Sequence, residues 1–278
     1  MKQQPKLMDV FRMKDIFEQH AEQISKNIYF NTELAIVHSG PQLFRLIMSQ
    51  QPPFTIDDHR LGMVVSGEAD VCFNLVDRHL SAGTLVYLGP GSIVSPIRFS
   101  EDFEVYGIAL FNAFNMPFSQ NMMPTAFKGQ VRDFQLPSTE ADMQTARNII
   151  DAMWHLVHQK EYHRPTAMSL AAALMHHYDN LYQRQTDRQT DIQSREQTIF
   201  DRFISLVNRH ATQEHKLTFY ASKMCLTQRY LSTIIHQASG LTTKEWIDRA
   251  IVTHIKVELK HTDKPVAQIA AELNFPNP

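Results

Sequence analysis

The chain has 278 residues, 43% of them hydrophobic and 20% charged, which suits two globular domains with real cores and excludes a disordered chain. Two cysteines (Cys72 and Cys225), the lack of an apolar run near roughly 18 residues, and the polar Met1–Arg12 argue against a disulfide framework, a membrane span and a signal peptide, so a reduced, cytoplasmic chain is expected. The formal net charge of −2 hides an asymmetry: Arg195–Pro278 holds eleven Lys/Arg against eight Asp/Glu, so the C-terminal part is the one suited to a polyanion.

From Leu34 to Phe111 the chain reads as short strands rich in β-formers: Leu34–Val37, Leu43–Met48, Arg60–Val65, Val71–Val76, Leu85–Leu88, Ile93–Ile97 and Phe103–Phe111. Turn residues such as Ser66-Gly67, Ala82-Gly83 and Gly89-Pro90-Gly91 separate them, a spacing that predicts a sandwich or barrel. Helical periodicity then takes over. Ser138-Thr139-Glu140 opens an amphipathic segment to about Lys160, and a second runs from Met168 to about Tyr182 after the break at Arg164-Pro165-Thr166. These two helices either cover an open sheet face or form a dimer interface, and the two roles are compatible. Gln183–Gln197 is nearly devoid of apolar residues and is the best linker candidate. The expected division is therefore 1–183, a linker at 184–197, and 198–278.

Beyond the linker the pattern is all helical: Ile199–Asn208, Thr218–Met224, Thr227–His236, Thr243–Lys260 and Val266–Leu273. Within Leu217–Gly240, Thr218 and Thr227 are placed to cap two short helices, and Ala221 is small where they would cross. Cys225 sits at a tight turn, and Leu231 and Ile234 point back to a core. That is what a helix-turn-helix needs, although a plain helical hairpin with one solvated side fits the same segment. The second helix leaves Gln228, Arg229, Ser232, Thr233 and His236 on its other face, side chains of the types that meet base edges or phosphates. Val266–Phe275 repeats the scheme, with Ala270 matching Ala221 and Asn274 matching Cys225. Asn tolerates the positive φ that such a turn requires. The intervening Thr243–Lys260 is a helix of about 27 Å, long enough to set two units in successive major-groove windows.

From about Glu196 onward the sequence resembles the AraC family of bacterial transcription regulators. The resemblance is carried by Ala221, Leu226-Thr227, Tyr230-Leu231, Ser239-Gly240-Leu241-Thr242 and, most specifically, Val266-Ala267-Gln268-Ile269-Ala270…Leu273-Asn274-Phe275. Asn274 stands where the family usually has Gly. The chain reaches Pro278 where the family's second recognition helix begins, so the second unit is expected to be truncated. The resemblance implies an α+β chain of two domains: an N-terminal cupin-like β-sandwich or jelly roll with a helical hairpin, and a C-terminal all-α double helix-turn-helix. It implies a ligand-responsive, sequence-specific activator of transcription, with promoter double-stranded DNA, RNA polymerase, a small-molecule effector and a second copy of the chain as partners. By the same resemblance Arg229, Ser232, Thr233 and His236 meet the major groove, while Thr227, Gln228 and Tyr230 set the helix on the backbone.

Cupin enzymes carry convergent His and Glu ligands on adjacent strands, because a metal needs several donors at one point. Arg60–Val64 and Gly67–Asp70 lack that pattern, and His38, His59 and His79 are isolated. No metal, no cofactor and no catalysis are expected. A sandwich interior still suits a small molecule bound by apolar walls and a few polar handles. Arg45 alternates with apolar neighbours: it either points inward, where it needs a carboxylate or phosphate partner, or faces an edge. Arg60 and Arg98 are further candidates for such a handle. The competing functions are a cupin-type enzyme with a helical appendage and an interaction adaptor whose helical domain no longer binds DNA.

Overall fold

The computed structural model describes residues 27–39, 43, 53–111, 114, 123–127, 132–190, 195–261 and 264–275. Their contacts divide into two units, with the boundary between Thr186 and Asp187. Among its described residues the first contains ten strands: β1 (Ile28–Phe30), β2 (Leu34–Ser39), β3 (Phe54–Ile56), β4 (His59–Ser66), β5 (Glu68–Phe73), β6 (Val76–Ser81), β7 (Thr84–Leu88), β8 (Ser92–Phe99), β9 (Glu104–Leu110) and β10 (Asp133–Pro137). Six form one sheet in the order β1-β2-β9-β4-β7-β10, and four form a second in the order β3-β8-β5-β6. All pairings are antiparallel.

Period-two alternation sends the residues of the larger sheet to two separate cores. Leu61 and Met63 of β4, Leu85 and Tyr87 of β7, and Ile108 and Leu110 of β9 join one apolar cluster with α1 (Glu140–Val157) and α2 (Arg164–Thr190). Val64 and Val86 go instead to a second cluster with Ala69, Val71, Phe73 and Leu80 of the smaller sheet. The two helices therefore cover the outer face of the larger sheet, and the sandwich interior lies on its other side. Tyr178 of α2, fully buried, donates its hydroxyl hydrogen to the Gly62 carbonyl at 2.9 Å, tying helix to strand. Gly62 and Gly107 face each other across β4 and β9. A Cβ on Gly107 would lie 2.5 Å from the Leu61 carbonyl oxygen, so only glycine lets the two strands approach there.

Several expectations need correction. The predicted strand Val71–Val76 runs through a turn: Asn74 and Leu75 both have positive φ (47° and 79°), ending β5 and opening a hairpin to β6. Of the predicted strand Leu43–Met48 only Leu43 is described, and it is helical; Arg45 lies outside the described residues. β1, β3, β6 and β10 were not anticipated. The stretch 184–197, expected as a linker, contains the boundary between the two units and is helical through Thr190 and again from Arg195, a different matter from its role as a connection.

The second unit contains α3 (Arg195–His210), α4 (Leu217–Lys223), α5 (Gln228–Ser239), α6 (Thr243–His261) and α7 (Val266–Glu272). α3 packs on α4, α5 and α6, with Phe203 against Tyr220 and Phe200 against Trp246. α6 starts in a capping box. Thr242 Oγ1 accepts from the Glu245 amide, while the Thr242 amide and hydroxyl donate to the Glu245 carboxylate. Within the described residues, no helix is long and apolar enough to cross a membrane.

Candidate nucleic-acid interface and sandwich cavity

α4 and α5 meet at a turn whose main chain is fixed by its own hydrogen bonds. The Cys225 amide donates to the Ser222 carbonyl (3.1 Å) and the Leu226 amide to the Ala221 carbonyl (3.0 Å), with Cys225 at φ +56°. This pair of bonds around a left-handed residue is the Schellman arrangement that ends a helix and redirects the chain. Thr227 then caps α5, its hydroxyl oxygen accepting from the Tyr230 amide at 3.2 Å. Thr218, expected to cap α4, does not: the N-cap is Lys216, and Thr218 lies inside the first turn.

The same geometry recurs at the end of α7. The Asn274 amide donates to Ala271 (3.2 Å) and the Phe275 amide to Ala270 (2.8 Å), with Asn274 at φ +59°. The α3–α4 loop clamps this second turn. The Gln213 side chain donates to the Glu272 carbonyl (3.0 Å), the Asn274 side chain donates back to the Gln213 carbonyl (2.8 Å), and the His215 ring packs on Phe275. This clamp carries no periodic signal and was missed in the sequence. Two polar residues in a loop matter here only because the fold brings them to a helix end.

On α5, Leu231, Ile234 and Ile235 are buried against the core. The opposite face presents Gln228, Arg229, Tyr230, Thr233 and His236 to solvent, with Ser232 half-buried. Thr227, exposed at the cap, begins the same surface. The helix thus brings together all seven predicted DNA-contacting residues, at its N-terminal end and along one side. Thr233 donates its hydroxyl hydrogen to the Arg229 carbonyl (3.0 Å), which orients its oxygen but leaves it able to accept. Docked in a major groove, such a helix offers donors and acceptors over about two turns.

A helix-turn-helix domain family matches residues 220–278. The match falls in the C-terminal region, where the sequence resembles the AraC family. No curated protein matches the sequence. Among solved structures, ToxT from Vibrio cholerae O395 is 13% identical over 80% of this chain and 82% of its own, with a TM-score of 0.37. Unsaturated fatty acid-bound wild-type ToxT from Vibrio cholerae strain SCE256 is 15% identical over 80% of each chain, at 0.39. The AraC-like transcriptional activator CuxR is 10% identical over 83% of this chain and 79% of its own, at 0.34. Scores below 0.5 do not establish a common overall shape.

Between the two sheets lies a cavity of about 240 Å³. Its walls are apolar, with Phe54, Val71, Phe73, Leu80, Phe99 and Phe103 among them. Arg60, of the predicted handles, does line it. Its guanidinium already engages the buried Asp58 carboxylate twice, Nε to Oδ1 at 2.7 Å and Nη2 to Oδ2 at 3.1 Å. Arg98 does not line it: it lies exposed, paired with Asp70 and Glu68, and the Asp70 carboxyl is held below its ordinary range by its hydrogen bond with His79 and then by Arg98. Among the described residues, no group of three or more His, Cys, Asp or Glu side chains is placed to hold a metal ion.

Proposed function

We propose that the protein is a ligand-responsive regulator of transcription that reads double-stranded promoter DNA through α5. The observation that carries this reading is the polar face of a capped helix set behind a helix-turn-helix turn, followed by a second turn of matching main-chain geometry. In this reading Arg229, Ser232, Thr233 and His236 approach base edges, and Thr227, Gln228 and Tyr230 hold the helix on the phosphates. Residues 1–183 sense an effector within the sandwich and pair two copies through α1 and α2, residues 184–197 connect, and residues 198–278 bind DNA. The chain acts in the cytoplasm as an activator that meets RNA polymerase, and it is not an enzyme.

The test is binding of the full chain to its own promoter region at several salt concentrations. A sequence preference whose affinity falls steeply with salt is expected. Arg229→Ala should lose about 1–3 kcal/mol at one base position and relax the preference there. Binding with no preference over unrelated DNA would rule the reading out.

A further inference from the structure

We propose that the sandwich cavity takes an uncharged apolar molecule of about eight non-hydrogen atoms and discriminates against carboxylates of the same length. The inference rests on the sensing role given to the sandwich and names the chemistry of its occupant. Size comes first. A cavity of about 240 Å³ divided by the roughly 30 Å³ that a water-sized group occupies leaves room for about eight such groups. A medium-length chain or a small ring fits that space.

Charge decides the rest. Arg60 is the one charged side chain among the described residues that line the cavity, and it is not an open cation. Alternation along β4 sends Leu61 and Met63 to the helices, which leaves Arg60, Gly62 and Val64 on the sandwich side. There both carboxylate oxygens of Asp58 meet two separate guanidinium nitrogens, the fork-to-fork geometry in which an arginine is best matched. Asp58 is itself only 3% exposed. Among the described residues that line the cavity, an entering acid finds no open cation: it leaves its charge unmatched among phenylalanines and valines, or pulls Arg60 away and strands a buried aspartate. Either arrangement puts an uncompensated charge in an apolar interior. A neutral molecule displaces nothing, and its hydrocarbon meets walls of the same kind. One hydroxyl is compatible with this wall, since it can share the rim of the Arg60–Asp58 pair without altering its charge.

The experiment compares 1-octanol with octanoate, each below its aggregation limit, by thermal unfolding and calorimetric titration of the full chain. 1-Octanol should raise the midpoint of unfolding, and octanoate should need a concentration at least roughly tenfold higher for the same shift. Val94→Phe, which fills part of the cavity, should abolish the effect of 1-octanol. Asp58→Asn removes the carboxylate charge that matches the guanidinium and should bring octanoate to within about threefold of 1-octanol. Octanoate binding as tightly as 1-octanol to the wild type would overturn the proposed chemistry while leaving the sandwich a ligand site. Neither molecule shifting the wild type would overturn both. An unchanged preference in a folded Asp58→Asn would overturn the role given to the ion pair; should that variant not fold, the wild-type comparison decides alone.

Discussion

At Cys225 and Asn274 the chain keeps a side chain where the backbone is left-handed, a conformation that costs an L-residue roughly 1–2 kcal/mol and glycine almost nothing. The two positions differ in what the side chain returns. Cys225 is exposed, so Cys225→Gly should raise stability by about 1 kcal/mol, read as a higher urea midpoint at unchanged slope. Asn274 donates to the Gln213 carbonyl. Asn274→Gly should therefore lower stability by up to about 1 kcal/mol, because Asn tolerates the left-handed backbone, little strain is relieved, and a hydrogen bond is lost. A gain at Asn274 equal to that at Cys225 would show that the clamp contributes nothing. Both turns were legible in the sequence, because an apolar residue, a turn residue and a second apolar residue recur after a small residue at the helix crossing. Arg60 was legible only as a type. Its neighbour Asp58 is two positions away on the chain, and nothing in the spacing says that the two side chains close on each other.

At the level of elements, the clamp gives the α3–α4 loop a structural task. Gln213→Ala removes the donor that reaches the Glu272 carbonyl and should cost about 0.5–1.5 kcal/mol, nearer the lower end because the bond is exposed. Its sharper signature is faster amide hydrogen exchange at Leu273–Phe275, with exchange in α5 unchanged. Uniform acceleration across α5 and α7 would mean that the loop supports the whole domain and not the second turn. Apart from the C-terminal end of α2, helices were read from the sequence to within a few residues because their apolar stripes are long. The strands were read less well where burial hides the punctuation. Val71–Val76 looks continuous because Leu75 sits at a positive φ that its type does not announce. β10 ends on Pro137 at the sheet edge, where a missing amide is tolerated, and its five residues carry too little pattern to stand out. The polar stretch after Tyr182 continues as helix because Gln and Arg are good helix formers, whatever they bury.

For the whole molecule, two histidines make the first unit sensitive to acid. Burial pushes the His59 imidazole below its ordinary 6.5, against the pull of Asp58. Burial does the same at His38, stacked between Tyr106 and Trp154, with Asp151 pulling the other way and Arg147 pushing further down. Both are neutral in the folded state at pH values where the unfolded chain already takes up protons. The unfolded state therefore gains as pH falls through about 6.5, and stability is lost progressively down to the lowered folded values. Chemical unfolding at pH 7 and at pH 5.5 should give a lower midpoint at the acid end. His59→Gln, which keeps a polar group facing Tyr87, should reduce that difference and leave the part due to His38. An equal loss in the variant would move the sensitivity elsewhere. At this scale the two-domain plan was visible in the change from a period of two to one near 3.6 residues, whereas the cavity became visible only once two sheets stood face to face.

The matching turns at Cys225 and Asn274 have one more consequence. Main-chain bonds and buried aliphatic residues fix how α5 leaves its turn, while positions 228, 229, 233 and 236 are exposed and 232 is half-buried. If α5 reads DNA as proposed, they form an exchangeable set, open to rewriting as a block toward a different operator, on a frame that keeps its fold.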